Sequence, residues 1–251
     1  MPTKTFHTPF GYNDFVLRRK PIRQPGQDVR DIPTYTIPEA AGFLAIPKRT
    51  MFDWFQKPSL LKPSAMYGDI ALLSFRDISE AYILEILRNV YGFRLRALTE
   101  ILTNAKRETK LKRPLIEADL GVVLGKLVLV KPQRGVLPRR DIDLGHGRNL
   151  MLQGLLDIAG KRLPRDNRHA PLRLYPWRFM SQSDDSCPIT VDPDIMSGRA
   201  VITGSRIPIS LVFGMNKRGK TAADIAKNYN LKTEAVEKAL QHIERPLQKV
   251  A

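Results

Sequence analysis

Hydrophobic and polar positions divide the chain into stretches of different period. Residues 1–33 carry prolines at 2, 9, 21, 25 and 33 and the cluster Arg18-Arg19-Lys20 without a sustained apolar repeat, which predicts a mostly irregular basic arm. From Thr36 a helical period begins. Thr36 before Pro38 and Glu39 has the spacing of a capping box, opening a short helix that ends near Ala45 and is closed by Ile46-Pro47. A second short helix is predicted from about Lys48 to Gln56, with Met51, Trp54 and Phe55 on its buried side. After the Pro-rich break KPSLLKPSAMYGD, apolar residues at Ile78, Ala81, Tyr82, Leu84, Ile86 and Leu87 return near helical spacing. Ser74 is the expected N-cap there, Asp77 its partner, and Gly92 the stop.

Between about 114 and 180 the period weakens. GVVLGKLVLV is short, β-branched and bounded by Gly and Pro, so it predicts one or two strands, with a turn at QRG. A short helix is expected over 150–158, and NRHAPLRLYPWRF reads as extended with Leu172, Leu174 and Trp177 inward. SQSDDS at 181–186 reads as a polar linker. Beyond it, Ile189-Thr190-Val191 and Ala200-Val201-Ile202 predict two short strands, with a helix starting near Pro208. Two more helices are expected, capped by Thr221 and Thr233. Their core should be Ile225, Ala226, Val236, Ala239 and Leu240. The expected organisation is an arm (1–33), a helix-turn-helix domain (34–113), a β-containing middle and linker (114–186) and a C-terminal unit (187–251). The fold class is α+β, mainly α.

Charge narrows the class of partner. The chain of 251 residues holds 41 Lys+Arg against 25 Asp+Glu, a formal charge of +16, with the positive residues spread along its length. That balance favours an anionic partner. The densest stretch is 94–113, where a solvated helix face explains the charge equally well. One cysteine, Cys187, excludes an internal disulfide and is too few for a cysteine-based structural zinc site. The four histidines, at 7, 146, 169 and 242, have no metal-ligand spacing. No run of 18 apolar residues and no secretory leader is visible, so a cytoplasmic protein without a membrane span is expected.

The first constellation is the helix pair over 36–56. Such a pair joined by a tight turn offers its second helix to a major groove, placing Lys48 and Arg49 at the groove-facing N-terminal end with the Thr50 hydroxyl beside them. Asp53 opposes simple phosphate binding. A pair of this type also occurs as a protein-interaction module, and Trp54 is better placed in a core than on a base. The run TIPEAAGFLAIPKRTMFDWF with LLSFRDISEAYILEILRNVYGFRLRALTEIL resembles the winged helix-turn-helix of MerR-like regulators over roughly 34–107. The resemblance implies a wing at about 57–73, with Lys57, Lys62 and Tyr67 as backbone contacts. The chain departs from the family in lacking a long dimerising coiled coil and a cysteine set for metal sensing.

The second constellation lies in the tail. Asp192-Pro193, Gly198-Arg199, Gly204-Ser205-Arg206-Ile207-Pro208, Gly219 and Asn228-Tyr229 resemble the domain-of-unknown-function 433 family over about 188–246, with Ser205 where threonine is usual. The implied fold is a β-hairpin before a trihelical, helix-turn-helix-like unit. Gly204 permits the turn, and Ser205 keeps a hydroxyl. Arg206 has two readings: it ties the hairpin to the helices, which is the favoured one, or it faces a partner. Family members occur as VapB-type antitoxins paired with toxins of PIN-like nuclease fold. A MerR-like N-terminus on such a tail implies a protein that binds double-stranded operator DNA and neutralises a nuclease toxin, as a homodimer or a larger assembly.

Nothing in the chain announces an enzyme or a cofactor site. The acid pairs Asp141/Asp143, Asp184/Asp185 and Asp192/Asp194 sit in loop-like contexts without a third acid, Gly145-His146-Gly147 reads as a turn, and no phosphate loop follows a strand. The expectation is therefore a type II antitoxin. The alternative is a stand-alone DNA-binding regulator whose trihelical tail makes a second DNA or dimer contact, with an interaction scaffold as a third reading.

Overall fold

The computed structural model describes residues 26–56, 60–89, 91–117, 119–123, 126–130, 141–143, 161–167, 170–176 and 187–244. The fold is α+β and mainly helical, with small antiparallel sheets. Most of the arm, the turn at QRG, the helix expected over 150–158, Trp177 and the 181–186 linker lie outside the described residues.

Strand β1 (Tyr35–Thr36) leads directly into helix α1 (Ile37–Leu44). The Thr36 side chain accepts the Glu39 amide and the Glu39 carboxylate accepts the Thr36 amide, so the capping box forms as expected. Ala45 adopts a left-handed conformation (φ 55°) that ends the helix, and the Ile46 amide closes back on the Ala41 carbonyl at 3.0 Å. Helix α2 (Lys48–Gln56) follows and buries Met51, Trp54 and Phe55. Strands β2 (Ala65–Tyr67) and β3 (Ile70–Leu73) form a hairpin across Gly68-Asp69, and β1 pairs on the other side of β3, giving the sheet order β1-β3-β2. Gly68 has φ +57°, the region a two-residue hairpin turn needs.

Helix α3 (Phe75–Asn89) is the central strut, with apolar residues from Ile78 to Leu87 buried. Its Ser74–Asp77 capping pair forms: the Asp77 carboxylate accepts the Ser74 amide at 2.8 Å and the Ser74 hydroxyl accepts the Asp77 amide at 3.3 Å. Helix α4 (Leu95–Thr109) begins beyond Gly92, and the short α5 (Pro114–Glu117) packs back on α3 and α4. The middle strands are β4 (Asp119–Val123), β5 (Lys126–Val130) and β6 (Asp141–Asp143), in that order.

The tail contains β7 (Ile189–Thr190) and β8 (Val201–Ile202), then α6 (Ile209–Lys217), α7 (Ala222–Tyr229) and α8 (Thr233–Glu244). Ile225, Ala226, Val236, Ala239 and Leu240 are all buried, as the apolar spacing requires. Thr221 caps α7 in a second capping box with Asp224. Thr233, expected as a cap, is instead the first residue of α8.

One hydrophobic cluster runs through both ends of the chain, from Tyr35 and Phe43 to Val236 and Leu240. The buried His242 ring, on α8, lies 2.8 Å through Nε2 from the Phe43 carbonyl. A carbonyl only accepts, so Nε2 carries the proton and satisfies one of the carbonyls left open at the C-terminus of α1. The Tyr35 hydroxyl donates to the Gly198 carbonyl at 2.8 Å. Residues at the end of the expected arm are also held: Arg30 pairs with Asp28 and Asp166, and Arg76 of α3 pairs with Asp28 and Asp31.

Leu172 departs from its expected burial and is exposed, whereas Leu174 is fully buried. The segment does not run as one strand. Isolated bridges tie Pro171 to Arg165 and Leu174 to Val191, so the two leucines answer to different partners and a period of two does not apply.

Candidate nucleic-acid interface

The outward face of α2 follows from what its inward face buries. With Met51, Trp54 and Phe55 in the core, Lys48, Arg49, Phe52 and Gln56 are left exposed and Thr50 is half-buried. Arg49 lies 3.3 Å through Nε from the Asp53 carboxylate, with its side chain 87% exposed. An exposed pair one helical turn apart holds the guanidinium over the helix at little net energy and leaves it displaceable by a stronger anion.

The hairpin stands where the wing is expected. Lys62 precedes β2 and is exposed, and Tyr67 stands beside the Gly68 turn, also exposed. Lys57 lies outside the described residues. Phe52 and Met66 are exposed large apolar side chains on the same two elements and were not among the expected contacts. For Phe52 the signal was present, because it falls at the edge of the stripe set by Met51, Trp54 and Phe55, on the side away from Trp54. For Met66 it was not, because a three-residue strand has too little sequence to reveal its faces.

Asp77 sets the base of the hairpin. The same carboxylate oxygen that accepts the Ser74 amide accepts the Ser64 amide at 2.9 Å, while the other lies 2.7 Å from Arg113. Arg113 also reaches Glu80 at 2.6 Å. Burial first, helped by the repulsion of the Asp77 carboxylate, pushes the Glu80 carboxyl up to about 7 against the opposing pull of Arg113. Capping was legible in the spacing of Ser74 and Asp77, but the bonds to Ser64 and Arg113 required the folded chain.

In the tail, Gly204 has φ +78° and turns the chain after β8. Ser205 holds that turn: its hydroxyl donates to the Ile202 carbonyl at 2.8 Å and accepts the Ile207 amide at 3.1 Å. Arg206 is exposed and has no hydrogen-bond or ion-pair partner among the described residues, so the favoured tie between hairpin and helices is not what it makes. The serine closes the turn on the neighbouring backbone of Ile202 and Ile207, while the Arg206 side chain stands in solvent. Asp192 is buried and accepts the Asp194 amide at 2.9 Å, a turn contact. No group of three or more His, Cys, Asp or Glu able to hold a metal ion occurs among the described residues, and no helix there is long and apolar enough to cross a membrane.

Fold and surface together define a protein with a helix-turn-helix, an adjoining β-hairpin and a small trihelical tail unit. Residues 189–242 match the family model described as "Protein of unknown function (DUF433)". The fold is similar to the X-ray crystal structure of Rv2018 from Mycobacterium tuberculosis, with a TM-score of 0.54 and 19% identity, over 83% of this chain and 97% of that one. No curated protein matches the chain.

Proposed function

We propose that the chain is a DNA-binding protein that grips duplex DNA through α2 and the β2–β3 hairpin in the manner of MerR-like winged helix-turn-helix regulators. The observation that carries this reading is the exposure of Lys48 and Arg49 at the N-terminal end of a second helix whose other face is locked into the core by Trp54. A guanidinium there can fork onto guanine, the Lys48 ammonium and Thr50 hydroxyl can reach bases or phosphates, and Lys57, Lys62 and Tyr67 serve the flanking backbone. A homodimer reading two half-sites suits such a module.

The fuller proposal is that of a type II antitoxin, which also covers a PIN-like ribonuclease toxin and acts in the cytoplasm. Its support is the tail's likeness to domains found in VapB-type antitoxins and a net charge of +16, which suits both a DNA backbone and the acidic centre of a nuclease. The test is capture of the neighbouring gene's product by the full chain, followed by RNA cleavage by that product with and without this protein. Capture with loss of cleavage supports the antitoxin. DNA binding without capture leaves a stand-alone regulator, and loss of both removes the proposal.

A further inference from the structure

The chain contains the same helix-turn-helix twice. Thr36 and Thr221 each close a capping box with the residue three further on, Glu39 and Asp224. Each first helix ends on a left-handed residue, Ala45 (φ 55°) and Asn230 (φ 52°). The next amide then closes on the fifth residue before it, Ile46 on Ala41 at 3.0 Å and Leu231 on Ala226 at 2.9 Å. The separation from Thr36 to Lys48 and from Thr221 to Thr233 is 12 residues in both. The buried sets of the second helices coincide, Met51, Trp54 and Phe55 matching Val236, Ala239 and Leu240, and Ala40 and Ala41 of the first match Ile225 and Ala226; Ile37, Phe43 and Leu44 are buried in the first unit alone, their counterparts being Ala222, Asn228 and Tyr229.

Their surfaces differ in a complementary way. Where α2 carries Lys48 and Arg49, α8 carries Thr233 and Glu234. The Arg49–Asp53 pair has its counterpart, with charges reversed, in Glu234–Lys238 at 2.9 Å. The cations of the tail unit sit instead around its first helix and turn. Lys217, Arg218 and Lys220 precede α7, Lys227 lies along it, Lys232 stands immediately before α8, and all five are exposed. The positions of the first unit matching Lys220, Lys227 and Lys232 are Tyr35, Gly42 and Pro47, none charged. In a docked helix-turn-helix the first helix crosses the sugar-phosphate backbone and the second enters the groove. The first unit thus concentrates its charge where bases are read, and the tail unit concentrates it where phosphates pass.

We propose that α7–α8 is a second DNA-contacting unit, a sequence-independent clamp in which Lys220, Lys227 and Lys232 neutralise duplex phosphates while α2 supplies base readout. The inference rests on the DNA-binding reading above. Asp224 offsets only one of these five cations: its carboxylate accepts the Thr221 hydroxyl at 2.7 Å and the Thr221 amide at 3.1 Å, bonds that keep it ionised beside Lys220 and Lys227.

The test uses the full chain and a duplex carrying the sequence upstream of its own gene, with binding followed by fluorescence anisotropy from 50 to 300 mM salt. Replacing Lys220, Lys227 and Lys232 together by Gln should weaken binding to that duplex and to a scrambled duplex alike. It should also flatten the slope of log K against log salt by roughly 2–3, at about 0.9 per phosphate contact. The triple Arg replacement should restore the slope, which separates charge from folding. An unchanged slope in the Gln variant, with binding still sensitive to Arg49→Ala, overturns the clamp and leaves the α2 reading intact. An unchanged slope together with lost capture of the neighbouring gene's product also overturns it, assigning the rim to an acidic protein. Absence of duplex binding by the unaltered chain at every salt concentration overturns both readings.

Discussion

The contact between Tyr35 and Gly198 joins β1 to the tail, and its perturbation can be worked from geometry. Met196, Ser197 and Gly198 all have positive φ (50°, 55° and 79°), a strained turn that persists only where its surroundings over-determine it. The buried Tyr35 hydroxyl donates to the Gly198 carbonyl at 2.8 Å, and burial first, then the Glu39 and Asp192 carboxylates, push the phenol up and keep it a donor. A Cβ on Gly198 would overlap Tyr35 Oη and stand 3.2 Å from Cζ. Tyr35→Phe keeps the edge-on packing against Phe43 and deletes one buried hydrogen bond, which costs about 1–2 kcal/mol, or about 2–8 °C in Tm at this chain length. Gly198→Ala adds to that loss the left-handed backbone penalty of about 1–2 kcal/mol and a steric clash, for about 3–4 kcal/mol in all. In the Tyr35→Phe background the overlap with the oxygen is gone and only the approach to Cζ remains, which a small shift of the ring relieves, so the same alanine should cost about 1–2 kcal/mol. Urea unfolding of the four proteins should therefore give a coupling of about 2 kcal/mol, the double variant being more stable than additivity requires. Additivity to within about 0.5 kcal/mol would refute the contact as the link between the two ends.

Glu80 should make the chain more stable in mild acid. Its folded value of about 7 exceeds the ordinary 4.5, so the native state holds the extra proton between those values; the contribution is complete below about 4.5 and is lost as pH rises through 7. The span is on the order of 3 kcal/mol, and Glu80→Gln should flatten unfolding free energy measured at pH 5, 7 and 8.5; an unaltered pH slope counts against the assignment. His242→Ala removes a buried ring and the donor to Phe43, and should cost about 2–4 kcal/mol by chemical denaturation, with an unshifted denaturation midpoint as the contrary result. Arg49→Ala should weaken binding to the preferred duplex by about 1–3 kcal/mol and relax discrimination against a scrambled one, and equal titration curves would remove Arg49 from the reading contacts.

Much of the fold was legible because its signals are local. Capping at Thr36, Ser74 and Thr221 depends on residues three apart, and the buried sides of α2 and α8 follow from helical spacing; each formed as read. Thr233 and Leu172 did not. A threonine can begin a helix from inside as readily as cap it, and the faces of the Leu172–Leu174 segment are set by the bridges of Pro171 to Arg165 and of Leu174 to Val191, which interrupt any strand period.

The candidate interface divides in the same way. Sequence alone placed Lys48 and Arg49 at the start of a second helix and put Trp54 in the core, since helical period acts within a dozen residues, whereas the hairpin was expected only as the wing that the family resemblance implies. Only the tertiary structure disclosed that Asp77 anchors the hairpin through Ser64, that Arg113 must serve two carboxylates, and that Arg206 faces solvent while Ser205 holds its turn. It also decided that His242 closes a helix 199 positions away and that Tyr35 meets Gly198. Those contacts join groups distant along the chain, and burial makes each one valuable only after the intervening residues have folded.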